Sequence, residues 1–112
     1  MKDKIGDYAR IKHISDSIIE IQKYTADIVF EEFENKSMIQ FACIKQLEII
    51  GEAANKITPH FKLLHSEIPW REIIGMRNIL IHEYFGVDTK VIWDIIQNDI
   101  SKLKQQIETI KL

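Results

Sequence analysis

The sequence predicts an all-α protein: an up-and-down antiparallel bundle of four main helices plus short connecting helices. Three observations carry this. Apolar residues recur at steps of three and four along most of the chain, the period of an amphipathic helix. Only 4 Gly and 2 Pro interrupt 112 residues, and no alternating apolar/polar run is long enough for a strand. The turn signals sit between the periodic segments, and short connections favour antiparallel neighbours.

The first helix is expected over about Asp3 to Tyr24. Ile11, Ile14, Ile18 and Ile21 form one stripe, extended by Tyr8, while Asp7, Arg10, Lys12, Asp16, Glu20 and Lys23 fall mostly elsewhere. In the connector that follows, Phe30 and Phe33 are expected to pin the chain to the bundle in a short turn. Ser37 and Gln40 have the spacing of a capping box, opening a second long helix from about Met38 to Ile57. Lys45, Glu48, Glu52, Asn55 and Lys56 gather on one polar arc of that helix, and most of the rest is apolar or small. So wide an apolar face places the helix at the centre of the bundle or against another subunit. Gly51, with Ala54 one turn on, permits close approach of another backbone.

Thr58-Pro59 reads as a cap followed by proline at the first position of a short helix ending near Ser66. Pro69 opens the fourth segment, to about Tyr84, with Gly86 in its C-terminal turn. Asp88 caps the last helix, about Thr89 to Ile110, whose seam is Ile92, Ile96, Leu103, Ile107 and Ile110, with Ile100 and Trp93 at its edge. Residues 1–112 read as one helical domain.

Composition narrows the function classes. The formal net charge of −2 gives no support to nucleic-acid binding through a large basic face, and no DNA partner is expected. The start lacks the apolar core of a secretion signal, and no apolar run approaches a membrane span. With a single cysteine, Cys43, set among apolar neighbours, a reducing cytoplasmic setting and a core role for the thiol are expected. His13, His60 and His65 are scattered without metal-ligand spacing, so no metal and no cofactor is expected.

The unusual segment is "GMRNILIHEYFGVD", Gly75 to Asp88. Trp70, Ile73, Ile74, Ile81 and Tyr84 define the apolar face of the fourth helix, and Arg77 lies at its centre. A guanidinium cannot be neutralised, so either an internal carboxylate meets it or it lines a groove where an external anion arrives. Gly75, Asn78 and His82 form a different stripe with Arg71 at its margin, and Gly75 leaves open space there. Asn78 and His82, four residues apart, can share a partner. Histidine as a residue type titrates near neutrality, so His82 can give or accept a proton, or it is a hydrogen-bonded surface or interface histidine. Positions 77 and 82 are about 140° apart around a straight helix, which a cleft shared by two protomers would reconcile. Tyr84 returns to the stripe of Arg77, about 10 Å along the axis, as an amphipathic core residue or an accessible hydroxyl.

Arg77, His82 and Tyr84 spell R-x4-H-x-Y, and the chain resembles the HepT-like toxins of the HEPN superfamily. "LEIIGEAANKI", "IPWREIIGMRNILIHEYFGVD" and "VIWDIIQNDI" resemble that family's blocks, in order, over nearly the whole chain. The resemblance implies a homodimer with a metal-independent endoribonuclease site in the dimer cleft, built from Arg77 and His82 of both chains and supported by Asn78. It also implies a minimal nucleotidyltransferase antitoxin that transfers AMP to Tyr84. The rival reading is a non-catalytic helical dimer serving as binding subunit or scaffold for a nucleotidyltransferase.

Overall fold

The computed structural model describes residues 6–82 and 88–110, and only the backbone of residues 78–82. It is an all-α bundle. The long elements are α1 (Asp7–Tyr24), α3 (Ser37–Lys56), α5 (Trp70–His82) and a terminal rod. The rod comprises α6 (Thr89–Asp94), a π-helical segment Ile95–Ile100 and α7 (Ser101–Glu108), with helical backbone angles across both junctions. The short elements are α2 (Phe30–Glu34) and α4 (Pro59–Leu64).

Helix α3 is the axle. Both α1 and α5 pack along it, as its broad apolar circumference requires. Cys43, Leu47, Ile50 and Ala54 of α3 are fully buried, as are Ile11, Ile14 and Ile21 of α1. Across the same interface Tyr24 Oη accepts from Gln46 Nε2 at 3.3 Å. Tyr8 departs from its expected place on the α1 stripe: it is exposed and meets Phe61 edge-on at 5.6 Å. Arg10 departs in the other direction. It is buried, because the long aliphatic stem of an arginine can pack while only its head stays polar.

The connector forms the anticipated short turn, α2. Phe33 is fully buried, and Phe30 and Phe33 both contact Trp93, with ring centroids 6.2 and 5.1 Å away. Asp27, with φ 61°, turns the chain between α1 and α2. The capping box at Ser37 does not form. Ser37 is already helical, and Gln40 instead donates to the carbonyls of Phe33 and Glu34 at 2.8 and 3.0 Å. Because α2 ends so close to α3, its C-terminal carbonyls offer Gln40 nearer partners than the α3 N-terminus does. The reaching-back acid is in α2: Glu32 accepts from Val29 N–H at 3.1 Å.

Other boundaries match their chemistry. Thr58 Oγ1 caps α4 by accepting from Phe61 N–H at 3.3 Å. The same hydroxyl and the Thr58 N–H donate to the Asp7 carboxylate at 2.7 and 2.9 Å, clasping the start of α1 to the α3–α4 junction. Trp70 is buried with its indole N–H donating to His65 O at 3.1 Å. Asp88 caps α6 by accepting from Lys90 N–H at 2.8 Å.

The rod buries the whole expected seam, Ile100 included. Ile92, Ile96 and Ile100 are spaced by fours, which on an ideal α-helix drifts about 80° over two turns. The π segment widens the turn where those fours occur, keeping Ile96 and Ile100 on the core side. Among the described residues, no helix is long and apolar enough to cross a membrane.

Candidate functional site

Arg77 is placed from both ends by two consecutive residues of α3. At the root, α5 crosses α3 at Gly51. A Cβ on Gly51 would stand 2.6 Å from Arg77 Cβ and 3.4 Å from Ile73 O, so only glycine admits this approach without movement. At the head, Arg77 Nε lies 2.8 Å from Glu52 Oε2. The other carboxylate oxygen, Glu52 Oε1, lies 3.8 Å from Lys56 Nζ one turn along α3.

Both readings of the arginine thus meet in one place. It has an internal carboxylate, yet it is not sealed in: the Arg77 and Glu52 side chains are 31% and 45% exposed. They line a shallow groove of about 290 Å³ that also contains Arg10, His13, Lys45 and Glu48. An ion pair so open to water contributes at most about 1 kcal/mol to stability. The polar arc of α3 faces this groove, so Glu48 and Glu52 belong to the site rather than to a purely solvated surface.

Glu52 is the residue sequence reasoning missed. It appeared on the polar arc, but nothing local links it to Arg77, 25 residues on. Among the described side chains of α5, Trp70, Ile73 and Met76 are buried and Ile74 is partly buried against the core. At about 100° per residue Arg77 falls between Ile73 and Trp70, with its root against α3 and its head at the groove.

The backbone of α5 remains helical through Asn78 and His82. Positions 77 and 82 are therefore about 140° apart around its axis. A Cβ on Gly75 would meet nothing within 4 Å, the open space expected there. Tyr84 lies outside the described residues.

The remaining candidates are structural in character. Cys43 is fully buried, and that burial pushes its thiol up from 9.0 to about 12, leaving it protonated and unreactive at neutral pH. The His65 ring packs at a tilt of 40° against Phe61, centroids 4.5 Å apart, and lies 3.9 Å from Glu67, while His60 is exposed. No cluster of three or more His, Cys, Asp or Glu suited to a metal ion occurs among the described residues.

Comparison with known proteins places the chain in a family. The model of the family described as "Ribonuclease HepT-like" matches residues 14–110, a span containing Arg77, Asn78, His82 and Tyr84. The chain is 46% identical over 111 residues to "Probable ribonuclease HepT" of Thermococcus cleftensis, covering 99% of each chain. It is 42% identical over 97 residues to "Putative RNase MJ1380" of Methanocaldococcus jannaschii, covering 87% of this chain and 89% of that one. A third relative, "Putative RNase TTE0752" of Caldanaerobacter subterraneus, is 45% identical over 83 residues, 74% of each chain. No solved structure matches. With nearly the whole chain matched at this identity, the protein belongs to the HepT-like ribonucleases of the HEPN superfamily, enzymes that cleave RNA.

Proposed function

We propose that this protein is the toxin of a type II toxin–antitoxin pair, a cytoplasmic homodimer that cleaves RNA internally without a metal ion. The observation that carries the reading is the partly exposed Arg77, which lines a groove and stands on the helix that also bears His82. Because positions 77 and 82 diverge around α5, one chain alone brings them together poorly. Two copies meeting along this helix supply both residue types to one cleft.

RNA carries its own nucleophile. In the proposed reaction one His82 accepts the 2′-hydroxyl proton as that oxygen bonds to phosphorus. The other His82 protonates the departing 5′-oxygen as the P–O bond breaks, leaving a 2′,3′-cyclic phosphate and a 5′-hydroxyl. Arg77 stabilises charge on the phosphoryl oxygens with a planar fork that lysine lacks, and Asn78 orients His82 or the phosphate. The antitoxin is a minimal nucleotidyltransferase that attaches AMP to Tyr84, whose phosphate then occupies Arg77 and whose purine obstructs the cleft.

Purified protein in excess chelator, wild type beside His82→Ala, tests the catalytic reading: cleavage by wild type alone supports it. The net charge of −2 and the carboxylates of Glu48 and Glu52 in the groove favour a second reading, a catalytically silent dimer that serves the nucleotidyltransferase as scaffold. Failure of wild type to cleave any RNA selects that one. A Tyr84→Phe protein that the partner still neutralises by nucleotidyl transfer removes Tyr84 as the acceptor.

A further inference from the structure

We propose that Glu52, acting from beside Gly51, is a positioning residue for RNA cleavage: it holds the Arg77 guanidinium by its Nε edge and leaves the other edge for the phosphate. The inference rests on the reading that Arg77 meets the scissile phosphate, and adds to it the device that aims the arginine.

Two contacts carry it. Gly51 fixes where the Arg77 side chain leaves α5, since the two helices are too close there for even a methyl group. Glu52 fixes where the side chain ends, through the 2.8 Å contact to Nε. Consecutive residues of the same central helix therefore set both root and head. The second oxygen of Glu52 faces Lys56 Nζ at 3.8 Å.

The pair is too exposed for stability to account for it. An arginine has many rotamers, and one free in a groove would have to be ordered at each turnover. Holding it beforehand removes that cost from the reaction. The attachment point is chemically apt. A guanidinium offers five N–H donors in a planar fork, and a carboxylate at Nε does not use up the donors at the far end. Substrate binding meets the opposite influence, because a fixed carboxylate beside the phosphate repels it. Removing Glu52 should therefore slow the chemical step without weakening RNA binding, a combination that general loosening of the fold does not produce.

The test uses full-length protein and an RNA oligonucleotide that wild type cleaves. Glu52→Ala and Glu52→Gln are compared in wild-type and Arg77→Ala backgrounds, and the Arg77 Nε–H is followed by ¹⁵N NMR. Glu52→Ala is expected to lower kcat about 10- to 100-fold, the scale of a misplacement near 1 Å, with KM unchanged or reduced. Glu52→Gln should recover part of the rate, because its amide oxygen can take the place of Oε2 beside Nε, and it guards against an alanine variant that folds poorly. In the Arg77→Ala background, Glu52→Ala should add almost nothing. The Nε–H resonance should shift in Glu52→Ala and return toward its wild-type position in Glu52→Gln. Unchanged or faster cleavage by Glu52→Ala, an equal loss in both backgrounds, or an unmoved Nε–H resonance overturns the proposal. If Arg77→Ala cleaves like wild type, the catalytic role of Arg77 falls and the positioning role with it. Wild-type rates in Glu52→Ala beside an inactive Arg77→Ala remove the positioning role alone.

Discussion

Substituting alanine at Gly51 separates the packing of the bundle from the geometry of its site. The new methyl would begin 2.6 Å from Arg77 Cβ, against an ordinary contact of at least 3.4 Å, so α5 must retreat by the difference, about 0.8 Å. The opposing atom is joined directly to the backbone and cannot swing aside. Two energies nearly cancel. Overpacking costs about 1–3 kcal/mol, while exchanging glycine for alanine inside a helix returns about 1 kcal/mol. The net loss is therefore about 0–2 kcal/mol, seen as a small drop in the urea midpoint with the slope preserved. RNA cleavage should suffer far more, about 100-fold, because Arg77 moves with α5. Gly75→Ala is the stability control: its methyl meets nothing within 4 Å, so the helix gains up to about 1 kcal/mol without strain. If Gly51→Ala is stabilised as much as Gly75→Ala and cleaves RNA at the wild-type rate, the close crossing at Arg77 is refuted.

Cys43 sets an alkaline limit. Burial pushes its thiol from 9.0 to about 12, so above pH 9 the unfolded chain sheds a proton that the native chain keeps. The associated stability is complete below about pH 9 and falls by up to about 1.4 kcal/mol per pH unit until about pH 12. Denaturation curves across that range should be steeper in pH for wild type than for Cys43→Ala; equal slopes would contradict the assignment. The clasp at Asp7 gives a third expectation. Asp7→Ala removes the acceptor for both donors of Thr58 and should cost about 1 kcal/mol in urea unfolding. A concurrent Thr58→Ala should then cost less than it does alone, whereas fully additive losses would argue against the clasp.

The fold was legible wherever periodicity alone decides burial. The isoleucine seams of α1 and the terminal rod, and the central position of α3, follow from which faces are apolar and how wide they are. The capping threonine and aspartate at Thr58 and Asp88 were legible because caps are local chemistry. Arg10 was misplaced because residue type hides an aliphatic stem, and Tyr8 because a helix end need not follow its own stripe. Gln40 was assigned to the wrong partner because the closeness of α2 is a tertiary fact. At the site, Gly51 was recognised as a point of close approach, but what approaches it was not. The pairing of Glu52 with Arg77 depends on the register between two helices, and no spacing within either one encodes that register.

The central placement of α3 has a bearing on motion. Amides flanked by α1 on one side and α5 on the other, from Leu47 to Ala54, are reached by solvent only when the bundle opens as a whole. They should be the last to exchange with deuterium. Helix α4 has Leu63 and Leu64 exposed and rests chiefly on Phe61, so it should exchange through small local excursions long before that. Arg77, leaning on the slowest-opening helix through Gly51 and Glu52, would then keep its aim while the periphery breathes.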